Sequence, residues 1–537
     1  MKRKQLLIIF LIFEASILFY GNGILGLFES SEARYAEVAR EMLETKDFVS
    51  PQMDYVYHFT KPPLAYYLTA IGMKIFGVNP FGVRFFVTIF ALLTLFITFK
   101  ISEELGQNGL ISAIILGSFP LFLIMAKVLT TDMFLTFFVT LGVYLYLIFQ
   151  KGKIKRNVFS ILFGITLGLS ILTKGQVGII YFIMIFGAMF LFKKDSANPK
   201  VFLSPILWAV TLLISGWWFL AVGIKHEGLL HYLFFREAVE ASYSSKRFHP
   251  GPFYYYIPVL IGGLFPFWLL FPSIKKFSTN EKLKSLIGYT IFPFFLFSLF
   301  PAKLPTYLLP STPGWAFLFG EKIEDRRKTL KIVSLGLSIF LFLLSLFVFF
   351  YGEKYIGLKT YDVAFVIFIG FIFSLFAFFF SFKKSEEVIL ATIFVSVLFS
   401  FLSFPTLVNK NMEKFKIAKE TALSIKENIK EGDEVLELRT TVFSIPFYLQ
   451  RKVYAFENNF FRKKFLKDKP EHILQTEEEL KQFFEKTSNL WVIVDKKSEL
   501  YLKENFPSFT LFRRGERYIV YISPQIKKRL GSTQPLE

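Results

Sequence analysis

Carboxylates stand at the edges of apolar segments, where they could take a proton during a reaction. Glu29 and Glu32 follow the first apolar segment, and Asp132 opens a later one. Partial loss of water raises the pKa of a carboxylate and makes it a better general base. We therefore predict that Glu29, Glu32 and Asp132 are catalytic. For Asp132 a structural alternative is equally available, because an aspartate at a helix start can cap the free N–H groups.

Cations are found in the same narrow breaks between apolar segments. Lys61 precedes two prolines, and Lys303 lies between Pro301 and Pro305. Proline rings stiffen the backbone and so fix where a neighbouring lysine points. Such lysines can hold a phosphate group, or they can simply reach from apolar surface into water. Cations that converge with carboxylates on one side of a membrane favour a lipid-linked phosphate substrate.

Metal and cofactor chemistry is only weakly indicated. The chain has no cysteine, and His226 and His231 are five residues apart, a poor spacing for one helix face. We predict no metal ligand and no cofactor, and leave open a requirement for a divalent metal.

The elements that carry these residues are long apolar segments. The 537 residues are 53% hydrophobic, include 72 Phe and have a mean hydropathy of +0.47. Runs of roughly 20 apolar residues cross the hydrocarbon of a bilayer, and they must be helical because lipid offers their backbone no partner. We predict about thirteen spans, near residues 6–27, 80–100, 109–126, 132–150, 157–173, 175–192, 202–223, 254–273, 284–301, 303–320, 332–351, 360–382 and 387–405.

Charge in the connecting loops gives the orientation. Alternate loops are rich in Lys and Arg, which marks the cytoplasmic side. The N-terminus is then cytoplasmic, the odd number of spans puts the tail outside, and the protein is a multi-pass protein of the inner (plasma) membrane. The net charge of +20 is explained by these loops and by anionic membrane lipid, so we predict no nucleic-acid partner.

Two regions are predicted. Residues 1–405 form a membrane domain with outer loops 28–79 and 225–253, and residues 406–537 form a soluble extracytoplasmic α/β domain. Within the first loop, a helix through residues 32–44 is predicted to lie along the membrane surface. Its Glu41 and Glu44 are expected to be solvated. The fold class is thus mainly α, a polytopic transmembrane helical bundle with a small α/β domain.

Several motifs resemble one family of membrane glycosyltransferases, the lipid A aminoarabinose transferases (ArnT) and the protein O-mannosyltransferases of the GT-C fold. The first outer loop of that family is similar to residues 32–42 (EARYAEVAREM) and 61–64 (KPPL). The pair Thr131–Asp132 and the stretches 249–256 (HPGPFYYY) and 303–307 (KLPTY) are also similar. The resemblance covers about residues 1–320 and is weak over the tail.

The resemblance implies a polyprenyl-phosphate sugar donor, an outer active site and inversion at the anomeric carbon. It assigns the donor phosphate to Arg34, Tyr35, Lys61 and the Lys303 segment. The family's general base is usually an Asp where this chain has Ser31, so Glu29 or Glu32 must substitute, and we favour Glu29. The full set of predicted substrate-binding residues is Arg34, Tyr35, Lys61, Arg84, Lys127, Lys174, Arg247, His249, Lys303 and Tyr307.

Two functions are consistent with this pattern. The first is transfer of a sugar from undecaprenyl phosphate to an envelope acceptor, which could be lipid A, another glycolipid or a protein hydroxyl. The second is transport or flipping of a lipid-linked sugar, which predicts charges at mid-membrane and broken helices in symmetric halves. The charges lie at one face and no such symmetry is visible, so we favour the transferase. The sequence gives neither the sugar nor the acceptor.

Overall fold

The computed structural model describes residues 3–29, 31–192, 199–233, 250–275, 287–323, 327–356, 361–382, 386–409, 411–457 and 470–531. The predicted fold class is confirmed: apolar helices dominate, and a small sheet lies in the tail. Among the described residues, seven helices are long and apolar enough to cross a membrane. They are Pro80–Leu105, Thr131–Gln150, Arg156–Lys174, Pro205–Lys225, Leu330–Lys354, Asp362–Phe380 and Val388–Asn409.

The chain consists of two compact units. The first unit comprises Met1–Asn22, Thr60–Ala65 and Arg84–Leu407. The second comprises Gly23–Phe59, Tyr66–Val83 and Val408–Glu537. Most of the first predicted outer loop therefore belongs to the same compact unit as the tail.

Several predicted spans of the first unit are interrupted. A proline inside a helix removes a backbone hydrogen bond and crowds the preceding turn. Accordingly, the helix Gly109–Gly117 ends before Pro120, and a second helix runs over Pro120–Met125. A 3₁₀ segment, Pro305–Ser311, precedes the helix Thr312–Ile323. The remaining shorter elements of this unit are Arg3–Phe19, Gln176–Phe192, Tyr256–Gly263, Phe267–Lys275 and Ile287–Leu299.

The first span is shorter than the predicted 6–27. Its helix ends at Phe19, and Gly21 then adopts a positive φ of 80°. A Cβ on Gly21 would come within 2.9 Å of Pro405, so only glycine fits the turn here. The helix therefore stops where the chain must turn against another span.

Small residues set the packing of the helix that ends at Lys174. The helix Arg156–Lys174 packs against Thr131–Gln150 and Pro205–Lys225. A Cβ on Gly164 would come within 2.7 Å of the Leu207 carbonyl oxygen, and one on Gly168 within 2.8 Å of Ile214. Glycines allow membrane helices to approach closely, which fixes the height and rotation of the helix end.

A six-stranded sheet forms the centre of the second unit, with strand order β5-β4-β3-β6-β8-β7. Strands β5, β4, β3 and β6 are parallel, and β8 and β7 are antiparallel. The strands are β3 (Glu434–Leu438), β4 (Tyr454–Phe456), β5 (Ile473–Leu474), β6 (Leu490–Asp495), β7 (Thr510–Arg514) and β8 (Tyr518–Ile522). Intervening helices are Lys419–Lys426, Ser444–Leu449, Glu477–Lys486, Glu499–Asn505 and Pro524–Leu530. A capping box at Thr476, with Glu479 as its partner, starts the helix Glu477–Lys486.

The same unit contains the first-loop helix, Glu32–Thr45, close to its predicted bounds. The prediction that Glu41 is solvated is wrong, because Glu41 is 0% exposed within the protein, whereas Glu44 is 49% exposed as predicted. The two-residue strands β1 (Gln52–Met53) and β2 (Val56–Tyr57) form a hairpin after it. A further helix, Leu64–Phe76, was not predicted, and it leaves Ile71 and Ile75 exposed.

Candidate active site

An ion pair between Asp132 and Lys174 lies in the first unit. The Lys174 Nζ is 2.5 Å from Asp132 Oδ1, and both side chains are more than 90% buried. Asp132 lies in the first turn of the helix Thr131–Gln150, and Lys174 ends the helix Arg156–Lys174. Packing between these two helices thus brings together two predicted site residues that are 42 positions apart.

Asp132 does not cap its helix, so the structural alternative for this residue is wrong. The N-cap is Thr130, whose hydroxyl accepts from the Asp132 main-chain N–H at 3.4 Å. With the cap supplied by a neighbour, the carboxylate is free to bind Lys174.

Tyr307 lies beside the same lysine. Lys174 Nζ is 4.9 Å from the centre of the Tyr307 ring, a cation–π distance. The Tyr181 hydroxyl donates to the Tyr307 carbonyl oxygen, which anchors the 3₁₀ segment from the side. The predicted residues Lys174 and Tyr307 are therefore direct neighbours.

Lys303 is buried at the end of a helix, with 2% exposure. Its Nζ donates to the carbonyl oxygens of Phe297 and Ser298 at 2.8 and 2.7 Å, which satisfies the last turn of Ile287–Leu299. The same Nζ is 5.5 Å from the Tyr256 ring centre. A lysine has three donors, so one is left for a ligand. The Phe297 ring is 5.2 Å from the Tyr307 ring, which links Lys303 to the Lys174 neighbourhood.

Lys61 belongs to this unit as well. Its Nζ donates to the Thr60 carbonyl oxygen at 3.0 Å. The adjacent Pro62 lies 3.8 Å from where a Cβ of Gly175 would be, so the segment contacts the turn after Lys174. In the first unit, the predicted residues Lys61, Asp132, Lys174, Lys303 and Tyr307 are joined by this chain of contacts.

The side chains of Arg84 and Lys127 donate to main-chain carbonyl oxygens. Arg84 Nη1 donates to the Asn22 carbonyl oxygen at 2.9 Å, and Lys127 Nζ donates to the Tyr20 carbonyl oxygen. Their exposures are 0% and 1%. Both cations thus fix the segment that follows the first span. The predicted residues Arg247 and His249 lie outside the described residues.

In the second unit, Glu29 is held by one of its two oxygens. Oε1 accepts from the Ser444 hydroxyl and from the Ser444 main-chain N–H, the latter at 3.3 Å. Oε2 is buried and has no hydrogen-bond partner among the described residues. Burial raises the pKa of Glu29 to about 7, a value suited to a general base at neutral pH.

Glu32, Arg34 and Tyr35 lie in the first turn after Glu29. Glu32 Oε2 accepts from the Phe28 main-chain N–H at 3.0 Å, which closes the start of the helix. The Arg34 guanidinium carbon is 5.6 Å from the Tyr35 ring centre and 5.9 Å from that of Phe443. Of the two candidate bases, Glu29 is the one with an oxygen left open.

A buried charged group in this unit was missed by sequence reasoning. It contains Glu37, Glu41 and Asp54, with Arg40 bonded to Glu37 at 2.6 and 2.8 Å. Burial raises the pKa of Asp54 to about 8 and is the main cause of the raised pKa of Glu41. The stretch EARYAEVARE carried a signal for this group. Its charges recur on every face of a helix, so a helix that packs against protein must bury some of them. Ser444 was also missed, because one serine in a weakly matched tail carries no motif.

No three His, Asp or Glu side chains in the described ranges are grouped as metal ligands would be.

Comparisons with known proteins agree with this architecture. The family model for dolichyl-phosphate-mannose-protein mannosyltransferases matches residues 6–231. An uncharacterized protein of Aquifex aeolicus is 29% identical over 62% of this chain and 67% of its own length. An undecaprenyl phosphate-α-4-amino-4-deoxy-L-arabinose arabinosyl transferase of Pseudomonas fluorescens is 28% identical over 62% of each chain, which is less than two thirds of that relative.

A solved structure is similar over almost the whole chain. The ArnT of Cupriavidus metallidurans, in its crystal structure bound to undecaprenyl phosphate, matches with a TM-score of 0.85 and 19% identity. The match covers 98% of this chain and 99% of that one. The chain therefore has the same fold as that ArnT structure. The resemblance predicted from the motifs is thereby confirmed, and it extends over the tail, where the sequence resemblance was weak.

Proposed function

We propose that this ArnT-like chain transfers a sugar from a polyprenyl (undecaprenyl) phosphate donor to an envelope acceptor such as lipid A, with inversion. The active site and the tail would face outward from the inner membrane, with the N-terminus in the cytoplasm. The observation that carries the proposal is the cluster of Asp132, Lys174, Lys303 and Tyr307 in the first unit, on a fold shared with ArnT.

The cations would hold the donor phosphate. Negative charge grows on the phosphate oxygen as the bond to the anomeric carbon breaks, and fixed cations stabilise that charge. Tyr307 links the Lys174 and Lys303 neighbourhoods, the Lys61 segment contacts the turn after Lys174, and each lysine is held by protein contacts. Arg34, Tyr35, Arg84, Lys127, Arg247 and His249 complete the proposed substrate-binding set. Preorganised positions spare the cost of ordering long side chains during the reaction.

Glu29 would act as the general base. The acceptor hydroxyl oxygen forms a bond to the anomeric carbon, while the carbon–oxygen bond to the phosphate breaks and its electron pair leaves with undecaprenyl phosphate. The hydroxyl proton goes to Glu29 Oε2, the oxygen without a partner. Glu32 is second choice because one of its oxygens closes a helix turn, and Asp132 is assigned to orienting Lys174.

The test is turnover by the purified protein in detergent, where transport has no meaning. Lipid A and undecaprenyl-phosphate-linked aminoarabinose are incubated with the protein, and the products are identified by mass spectrometry. We expect modified lipid A, and a loss in kcat of about 10³-fold in Glu29→Gln, the usual size of a general-base contribution. Glu44 lies on the helix that follows Glu29 and is 49% exposed; Glu44→Gln is the matched control and should keep full activity.

Two results would contradict the proposal. If no glycolipid or protein acceptor receives sugar from any polyprenyl-phosphate donor, while liposomes containing the protein flip that donor, the chain is a transporter. If transfer occurs and both Glu29→Gln and Glu32→Gln retain it, the base is assigned wrongly although the reaction stands.

A further inference from the structure

Glu29 is held at two points by one stretch of the tail. Its main-chain N–H donates to the Lys416 carbonyl oxygen at 2.9 Å, and its carboxylate accepts from Ser444. Both partners lie in residues 411–457, within the same compact unit as Glu29. The side chain and the backbone of Glu29 are therefore fixed by the tail rather than by its own loop.

The two carboxylate oxygens have different surroundings. Oε1 receives two donors from a single residue, Ser444, which is itself 0% exposed. Oε2 receives none among the described residues and is shielded from water. A carboxylate bonded in this way presents one oxygen in a fixed direction, as a base must when it meets a hydroxyl proton.

We infer that Ser444 is a positioning residue, through which the tail orients the base and sets its readiness to accept a proton. This inference rests on the proposed function, in which Glu29 is the base. It gives the tail a part in the reaction, beyond anything that the motifs of the membrane-spanning region imply.

Charge around Glu29 comes from three elements of the same unit. Arg517, in the turn between β7 and β8, favours the ionised carboxylate. Glu437 on β3 and Tyr518 on β8 also interact electrostatically with it. Burial has the largest effect and raises the pKa of Glu29, whereas hydrogen bonds from Ser444 and from the Phe443 main chain lower it. Removal of the Ser444 hydroxyl should therefore raise this pKa, because one stabiliser of the ionised form is lost.

The experiment measures kcat/KM against pH for a graded series at position 444. A base must be deprotonated to act, so a higher pKa moves the acidic limb of the profile to higher pH. A hydrogen bond to a charged group corresponds to about one pH unit. We expect Ser444→Ala to shift the limb upward by that amount, to lose about fivefold at pH 7 and to recover most of it near pH 9.

Two further variants and a control make the result specific. Ser444→Thr keeps a hydroxyl and should leave the limb in place, while Ser444→Cys, a weaker donor, should give an intermediate shift. Ser424→Ala removes a serine hydroxyl of the same unit that donates to the Thr421 carbonyl oxygen at 2.8 Å, and it should not move the limb. Thermal unfolding of each variant reports any loss of folding separately.

The outcomes separate the two proposals. A limb that stays in place in Ser444→Ala and Ser444→Cys, or a loss that is the same at every pH, overturns the positioning role while the transferase proposal stands. A wild-type protein that transfers no sugar, or a fully active Glu29→Gln, overturns the assigned function or base and leaves no role for Ser444 to explain.

Discussion

Two buried carboxylates of this protein, Asp132 and Glu29, are satisfied in opposite ways. Asp132 is bonded directly to a cation, Lys174, at 2.5 Å. Glu29 is bonded to a neutral hydroxyl and an amide, and one of its oxygens has no partner in the described part of the chain. Each lies in its own compact unit.

The difference indicates a division of labour. A carboxylate beside a lysine supplies charge balance and orients that lysine, which suits a group that holds a phosphate-binding cation in place. A carboxylate among neutral donors keeps its affinity for a proton, and burial raises the pKa of Glu29 to about 7.

The largest expected effect contrasts the two acids in kinetics. Glu29→Gln should lower kcat by about 10³-fold with little change in KM, because the proton acceptor is lost. Asp132→Asn should mainly raise the donor KM, by about tenfold, because Lys174 loses its orientation. Steady-state rates with varied donor test the contrast. Equal falls in kcat for both variants would show that the two acids act as one unit.

The second effect concerns stability at the ion pair. Lys174→Met leaves Asp132 buried without its cation, which typically costs about 3–5 kcal/mol. The double variant Asp132→Asn/Lys174→Met removes both charges and should be clearly more stable than the single one. Thermal unfolding in detergent measures both. If the double variant were the less stable of the two, the pair would have to contribute more than charge compensation.

Sequence reasoning identified the membrane architecture and most of the first unit's cluster. Apolar length, narrow breaks between apolar runs and proline-flanked lysines are local signals, and they point to Lys61, Lys174 and Lys303 without knowledge of their contacts. Which acid pairs with which base depends on helix packing, and Asp132 and Lys174 meet because the helices Thr131–Gln150 and Arg156–Lys174 pack against each other.

The second unit was harder to predict because its buried contacts also depend on packing between residues that are far apart in the sequence. The first-loop helix was expected to lie on the membrane surface with solvated acids, yet Glu41 is 0% exposed. Its burial partner Asp54 is in a hairpin that bonds to the tail, where the Asp54 carboxylate accepts from the Val453 main-chain N–H at 3.2 Å. A contact between residues 399 positions apart cannot be predicted from the local periodicity of the sequence.

A third effect, smaller, tests whether buried acids in the second unit are kept protonated. The pKa of Asp54 is raised from 3.8 to about 8, so the folded protein holds this proton more tightly than the unfolded chain. The stability that protonated Asp54 adds to the folded protein is then fully present below pH 4 and is lost as pH rises toward 8. Asp54→Asn, which cannot ionise, should escape this loss.

The measurement is the difference in melting temperature between Asp54→Asn and wild type from pH 4 to 8. We expect the variant to gain about 5 °C over that range. His472 has the opposite linkage, because burial lowers its pKa to about 4 and its contribution is lost as pH falls from 6.5. Because His472 Nε2 lies 3.9 Å from Asp54 Oδ2, the two titrations are coupled, and the comparison is repeated in a His472→Gln background. Parallel melting curves would show that Asp54 is ionised in the folded state.

The smallest effect is expected at Glu44, which separates exposed charge from buried charge on one helix. Arg40 contacts both Glu37, at 2.6 Å and 0% exposure, and Glu44, which is 49% exposed. An exposed pair four residues apart on a helix is worth about 0.5 kcal/mol because water competes for it. Glu44→Ala should therefore lower the melting temperature by no more than about 2 °C and leave turnover unchanged. Glu37→Ala leaves the buried Arg40 guanidinium without the Glu37 carboxylate. The free energy of unfolding should therefore fall several-fold more than in Glu44→Ala. Equal effects from the two variants would mean that burial does not decide the strength of these pairs, and the contrast drawn between Asp132 and Glu29 would lose its physical basis.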